Sequence, residues 1–446
     1  MVFLKGDDSL EDHKHSKSPM QMIKCLIWGM VIGCSVGVII FFFKLVAHYL
    51  EEISRHLYGM AAERPYVAVL VFAGLVLLAL GMYVLHRFAP DVRGGGIPRA
   101  TGIMRGILKC SRLRTFFGTI IGSFISFFAG LPLGSEGPGV LIGTSLGAAF
   151  VSPGKKCSWS KYAPTAGAGA GFAVATGAPI TSILFILEEV HRKMTVSMVL
   201  ITAGASITAA FVNEALCSVF GVDPILFASV TQGRFTLSHV PYLLLLGVIV
   251  AVFVWIFDVC IVSLKYFTDR MGKKIPDASK LLFVFTIVGV VGLFYPSALY
   301  GGHGLILGIM DTGTALGCIA ALLLWRFVMM IFTSNSKATG GAFIPTLCIG
   351  ALIGALTFEL LYVMGMPREL SSAVILISMC AFLGGTMRAP LTAILFFMEA
   401  TAPNGNMFYA AVAVFVVHFI TMSLGRHSFN DVMLEDMVAV QKNTNE

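Results

Sequence analysis

Charge is scarce in this 446-residue sequence: Asp, Glu, Lys and Arg together make up 12% of it. That is about half the ~25% usual for soluble domains, too little to cover a globule of this size in water. Cysteine occurs nine times, at 25, 34, 110, 157, 217, 260, 318, 348 and 380. The set is odd and scattered, without a CxxC pair, which excludes a disulfide-stapled secreted scaffold and the usual zinc or redox motifs. The ten His include no HExxH, so an intramembrane metalloprotease has no support. The net charge of +7 is spread over short clusters and forms no continuous basic face, which excludes a nucleic-acid partner. Disorder is excluded by the opposite property: hydrophobic residues make up 57%, with 47 Gly besides. Mean hydropathy is +0.86. The solvent is lipid.

Apolar runs set the organisation. Residues 1–24 are polar, with Lys5, Lys14, Lys17 and Lys24, and read as a cytoplasmic segment. The run from Cys25 to Phe43 is too long for a cleaved signal peptide and reads as a first membrane helix. Further runs fall near 66–87, 116–133, 138–151, 163–187, 196–220, 240–266, 281–299, 305–333, 343–366, 371–386, 389–400 and 407–425. Two of them, 138–151 and 389–400, fall short of the ~20 residues a bilayer needs and open at Gly/Pro clusters. Such segments predict helices that stop at mid-membrane depth. Basic residues gather at Arg93, Arg99, Arg105, Lys109, Arg112 and Arg114, at Lys155, Lys156 and Lys161, at Arg192 and Lys193, and at Arg270, Lys273, Lys274 and Lys280. The positive-inside rule puts most of them on the cytoplasmic side. A short cytoplasmic tail, 435–446, closes the chain.

The chain repeats itself. Shifted by 207 positions, Gly134-Ser135-Glu136-Gly137-Pro138 lies on Gly341-Ala342-Phe343-Ile344-Pro345, and Ile142, Gly143, Gly147 and Ala148 lie on Ile349, Gly350, Gly354 and Ala355. The same shift puts Gly94-Gly95 on Gly301-Gly302. A shift of 211 lays the stretch from Ala178 to Glu188 on that from Ala389 to Glu399. Three matches in one order are a duplication, with halves of about 25–220 and 235–425. A duplicated membrane unit with broken helices is the build of transporters and channels, the site lying at the repeat interface.

The repeated motifs suit a small anion. Each places Gly and Pro just before an apolar helix, where proline costs no hydrogen bond and glycine exposes backbone amides. A helix start carries unsatisfied N–H groups and a positive dipole end. Gly94-Gly95-Gly96-Ile97-Pro98 supplies a third such start. The plainer reading, glycine and proline kinking packed helices, covers one motif more easily than three. Glu136 stands in the loop that should attract anions. An intramembrane carboxylate is costly and functional by default; here it can occupy the anion's own place until protonation removes it. The plainer alternative is a carboxylate capping its own helix.

Glu188 and Glu189 close the run from Ile180, before His191-Arg192-Lys193. Glu188, and Glu399 as its copy, read as helix-end residues with surface ion pairs. Glu189 is left open between such an end and an internal proton entry point. Gly143-Thr-Ser-Leu-Gly147 matches the hydrolase GxSxG pattern, with Ser145 as nucleophile. It lacks the strand and the His/Asp partners that motif needs, and its copy has no serine, so a small-xxx-small packing face is expected. Gly33-xxx-Gly37 and Gly118-xxx-Gly122 read alike. His303, beside Gly301-Gly302, reads as packed or interfacial and not as a ligand, and Asp258, Asp311, Glu214 and Glu359 carry no assignment.

These motifs, in this order, resemble the CLC family of chloride channels and proton/chloride antiporters, over about 25–434. GGGIP at 94–98 is similar to the family's GSGIP, GSEGP at 134–138 to G(K/R)EGP, and GAFIP at 341–345 to GxFxP; the stretch 177–189 is also similar. The resemblance implies an all-α, polytopic integral membrane protein of broken, tilted helices in two inverted halves. It implies a homodimer with one pore per subunit. Glu136 would be the external gate and Glu189 the internal proton relay, with Phe343 and the amide of Ala342 lining the central anion site. Chloride or a similar monovalent anion, protons and membrane lipid would be the partners, and no cofactor or metal is expected. A short tail and no cleavable leader point to a prokaryotic inner membrane.

Three positions depart from the pattern. The filter serine is Gly95, the pore tyrosine falls at Asn430, and Ser135 replaces the basic residue before the gate. Backbone amides, with the Asn430 amide, then hold the anion without hydroxyls. Each lost hydrogen bond to an anion costs about 1.5–3 kcal/mol, which bears on both selectivity and coupling. The expected function is proton-coupled anion antiport, the alternative a proton-independent channel or leak. Fluoride transport ranks lower, because Pro138 and Glu189 are present. A polytopic enzyme using Ser145 or a histidine lacks catalytic partners, and an organic-solute carrier would need a larger polar site.

Overall fold

A computed structural model describes residues 19–109, 111–151, 159–192, 194–271, 276–311, 314–401, 405–425 and 428–445. Lys5, Lys14, Lys17, Cys110, Lys155, Lys156, Cys157, Lys193, Lys273, Lys274, His427 and most of the N-terminal segment lie outside the described residues. Among those described, helices make up nearly everything and no strand ladder forms.

The first half contains α1 (Pro19–Glu63), α2 (Pro65–Phe88), α3 (Gly96–Met104), α4 (Arg112–Ala129), α5 (Glu136–Ala149), α6 (Ala163–Thr176), α7 (Pro179–Phe185, continued by a π-helical turn Ile186–His191) and α8 (Val196–Phe220). The second repeats it with α9 (Val240–Met271), α10 (Asp277–Phe294), α11 (His303–Asp311), α12 (Leu316–Ser336), α13 (Phe343–Val363), α14 (Ser371–Met387), α15 (Pro390–Ala400) and α16 (Met407–Ser423). A final helix, α17 (Phe429–Asn445), runs without a break through most of the segment read as a tail. Eight described helices are long and apolar enough to cross a bilayer. The two runs expected to be short are short, α5 with 14 residues and α15 with 11.

Three boundaries differ from expectation, one of them the run 305–333, which is divided between α11 and α12 at the extended Ala315. The first helix does not stop at Phe43 but runs 45 residues to Glu63. At 1.5 Å per residue that is about 67 Å, more than twice a bilayer core of ~30 Å. Nothing between Lys44 and Glu63 breaks a helix, and Pro65 is the first residue that does. The run 163–187 is not one helix. Gly177 takes φ 69°, Pro179 opens the next helix, and the chain turns between α6 and α7.

Hydrogen bonds across the halves fix their relative orientation. Glu188, at the end of α7, accepts from the amides of Leu391 (3.1 Å) and Thr392 (2.8 Å) and from the Thr392 hydroxyl (2.7 Å), all at the start of α15. Glu399, at the end of α15, accepts from the amides of Ile180 (2.9 Å) and Thr181 (2.6 Å) and from the Thr181 hydroxyl (2.6 Å) at the start of α7. Each carboxylate caps the other half's helix, so the two helices run antiparallel and the halves are related by a two-fold. This corrects the surface-ion-pair reading of Glu188 and Glu399. Helix starts carry orphan N–H groups and a positive end, and a carboxylate satisfies both.

The expected packing faces are real. A methyl added at Gly143 or Gly147 would collide with the carbonyls of Gly167 or Ala163 on α6, and one at Gly350 or Gly354 with α14. Small residues thereby let the α5–α6 and α13–α14 backbones touch. Ser145 donates to the Ile142 carbonyl (2.8 Å) within its own helix. Arg105 and Arg192 both pair with Asp431 of α17 (3.6 and 2.6 Å) and Lys337 with Asp436 (3.2 Å), while Arg93 pairs with Asp277 at the start of α10 (3.5 Å). Of the unassigned acids, Glu359 pairs with Arg368 (3.1 Å), Asp258 is buried, Glu214 is exposed, and the Asp311 side chain lies outside the description.

Candidate functional site

Four helices start at one place. In α3, α5 and α13 the third residue is proline, Pro98, Pro138 and Pro345, where the missing N–H has no intrahelical partner to lose. The loop glycines allow the close approach. Gly134 and Gly341 exchange two backbone hydrogen bonds, each 2.8 Å, so the duplicated loops pair across the two-fold. A methyl on Gly137 would lie 2.8 Å from the Gly341 Cα and 3.3 Å from the Gly96 nitrogen. The fourth start is α17, whose Ser428 hydroxyl accepts from the Asp431 amide at 3.4 Å.

A small cavity of about 20 Å3 lies between these starts. It holds a single water-sized particle. Gly94, Gly95, Gly96, Ile97 and Pro98 line it, with Gly137, Ala342 and Asn430. Of the expected site residues, these eight are brought together on its wall. Gly134, Ser135, Pro138, Gly341, Ile344 and Pro345 do not line it. Phe343 is fully buried, its ring edge-on to Phe172 (5.1 Å) and Phe396 (5.3 Å), so it packs the core beside the cavity.

Glu136 is the first residue of α5 and is 2% exposed. Its carboxylate folds back over the helix start, using the space that Gly134 leaves by having no side chain, and interacts with the backbone of Ile344 of the other half. Oε1 accepts from the Ser135 hydroxyl at 3.2 Å. A carboxylate thus sits where two helix starts meet, and both favour a negative charge there.

Glu189 is equally buried, at 2%, and lies in the π-helical turn. Its Oε1 accepts from the Ser428 hydroxyl (2.8 Å) and the Asn430 side-chain amide (3.1 Å). Arg192 stands 3.8 Å from Oε2. Arg105 donates to the backbone carbonyls of Val190 (2.6 Å) and Glu189 (3.1 Å) and so holds the turn. Asn430 therefore has a double position. It lines the cavity, and one of the two N–H groups of its amide is engaged by Glu189.

Two cations, Lys44 half-buried and Arg326 buried, escaped the reading of the sequence. Lys44, on α1, donates to the Val174 carbonyl of α6 at 2.9 Å, and its charge acts on Glu136. Arg326, on α12, is 1% exposed and donates to the Leu299 and Tyr300 carbonyls, the former at 2.8 Å. Their signal was available, since each is a lone basic residue in or beside an apolar run. His303, as expected, is packed, with Nε2 2.6 Å from the Leu226 carbonyl.

The profile described as voltage gated chloride channel matches residues 75–422. The chain belongs to the voltage-gated chloride channel family. It is 29% identical over 387 residues to the H(+)/Cl(−) exchange transporter ClcA of Vibrio parahaemolyticus, covering 84% of this chain and 82% of that one. Identity to the H(+)/Cl(−) exchange transporter ClcA of Klebsiella pneumoniae is 27% over 408 residues, 89% of this chain and 84% of that one. A solved slow cyanobacterial Cl−/H+ antiporter superposes with TM-score 0.83 at 25% identity, over 94% of this chain and 99% of that one. A CLC-type fluoride/proton antiporter shares the fold, with TM-score 0.74 at 18% identity over 91% and 97%.

Within this family fold the departures acquire places. Gly95 is on the cavity wall, and Asn430 reaches from that wall to Glu189. Ser135 touches the Glu136 carboxylate itself.

Proposed function

We propose that this multi-pass membrane protein moves chloride, or a similar monovalent anion, across the membrane in exchange for protons. One observation carries the reading. Glu136 lies buried on the paired, duplicated loops, while Glu189 is tied through Asn430 to the wall of the cavity between their helix starts. The amides supply a positive rim without fixed charge, which suits a dehydrated small anion. Glu136 competes for that rim when ionised and leaves it when protonated, so anion passage and proton uptake exclude one another at one place. Glu189 receives the proton for the opposite side. The names of the similar exchangers agree with this reading.

In the same proposal, 1–24 and 435–446 face the cytoplasm, 25–434 spans a prokaryotic inner membrane, and the chain acts as a homodimer with one pathway per subunit. A second reading, an uncoupled channel or leak, draws on Gly95 and Asn430, which offer the central anion no hydroxyl.

Chloride-loaded proteoliposomes with valinomycin, with external pH recorded, separate the two. The expected result is uphill proton movement driven by the chloride gradient, lost in Glu136→Gln while anions still flow. Anion flux without proton movement in the wild type would establish the channel reading instead.

A further inference from the structure

The cavity has a second wall that no repeated motif announces. Besides the glycine loop, the end of α12 contributes Thr333 and Ser334 to the lining. The rest of the lining is glycine backbone and apolar surface, apart from Asn430, one of whose two amide N–H groups is engaged by Glu189. Thr333 and Ser334 are thus the hydroxyl side chains on the described wall. We propose that Ser334, backed by Thr333, gives the transported anion the side-chain hydrogen bond that Gly95 cannot, and so sets the site's affinity for chloride. This rests on the anion-transport reading.

The two hydroxyls differ in freedom. Thr333 is 1% exposed and donates to the Met329 carbonyl at 2.6 Å. Its branched side chain is held to few rotamers. Ser334 is half-buried and donates to the Met330 carbonyl at 2.7 Å. A serine hydroxyl in a helix can leave its i−4 carbonyl by rotation about one bond, and that backbone bond is a weak competitor. A hydrogen bond to an anion is charge-assisted and stronger than the neutral bond given up. Ser334 therefore turns toward an arriving anion, and Thr333 holds the helix end in place.

The glycine at 95 is not demanded by the backbone. Its φ of −69° and ψ of 135° suit any residue. A methyl there would meet Pro98 Cδ at 3.4 Å, an ordinary contact. A hydroxyl can be returned to the loop, which provides the control.

The test is chloride titration calorimetry on the purified wild type, Ser334→Ala, Ser334→Thr and the double variant Ser334→Ala with Gly95→Ser, each confirmed monodisperse. Ser334→Ala should bind chloride about tenfold more weakly, the equivalent of one such hydrogen bond. Ser334→Thr should stay within about threefold of wild type, and adding Gly95→Ser to the alanine variant should recover most of the loss. Binding in Ser334→Ala within twofold of wild type overturns the inference while leaving chloride transport intact. Absence of both chloride binding and chloride flux in the wild type overturns the transport reading and this inference with it. A bromide-soaked crystal of the wild type gives an independent measurement. An anomalous peak within hydrogen-bonding reach of Ser334 Oγ supports the inference, and one on the loop amides beyond that reach overturns it.

Discussion

Gly95 and Gly96 are neighbours with opposite tolerances. A methyl at Gly95 has room, whereas one at Gly96 would enter the Gly137 carbonyl of α5. Gly95→Ala should therefore fold and transport, and Gly96→Ala should abolish flux and yield little monodisperse protein. Size-exclusion profiles beside flux assays check this, and equal behaviour of the two variants would contradict the contact. A second prediction concerns Ser428, which is fully buried, donates to Glu189 at 2.8 Å and does not line the cavity. Ser428→Ala removes one charge-assisted bond, about 1.5 kcal/mol or roughly tenfold. Proton flux should fall about tenfold, while anion flux at saturating chloride changes little. An unchanged proton-to-anion ratio would leave Ser428 only a helix cap. At this scale the sequence disclosed what chemistry makes conspicuous: a carboxylate in an apolar run, and glycine beside proline before a helix. It did not disclose Ser334 or the partners of Asn430. A hydroxyl on an apolar helix is ordinary until folding turns it toward a cavity.

Among the elements, α7 and α15 depend on one another more than on their own caps. Neither N-cap alanine, Ala178 or Ala389, offers a side-chain hydrogen bond, and each start is satisfied by three bonds to the other half's glutamate. Removing such a carboxylate leaves two amides and a hydroxyl orphaned. Glu188→Ala and Glu399→Ala should each cost about 3 kcal/mol, with the double variant costing less than the sum because both act on one helix pair. Detergent-phase thermal unfolding measures this, and additive small shifts would show the caps to be replaceable by water. The short helices were legible because glycine and proline punctuate locally. The reciprocal caps were not, because the matching of Ala178–Glu188 with Ala389–Glu399 says only that two segments are alike. It does not say that they lie side by side. The length of α1 was hidden for another reason: hydropathy ends at the edge of lipid, while helix formation continues until a breaker.

For the whole molecule, the decisive property is that duplication and inversion coincide. Parallel repeats would set both duplicated loops facing one way; a two-fold that makes α7 and α15 antiparallel instead brings the starts of α5 and α13 head to head, with Gly134 bonded to Gly341. The symmetry is thus what turns two ordinary helix dipoles into one site. It is also open to direct test. Arg64, before α2, and Ser279, in the first turn of α10, occupy equivalent places in the two halves and are both exposed. Asp277, two residues from Ser279, pairs with Arg93 after α2, so one 24-residue crossing separates the two probes. By the positive-inside rule Arg93 is cytoplasmic and Arg64 external. In a cysteine-free background, a membrane-impermeant maleimide applied to intact cells should label Arg64→Cys, and should label Ser279→Cys only after permeabilisation. Labelling of both from the same side would leave the paired loops without their inverted frame, and with it the account of how one carboxylate serves two helix starts.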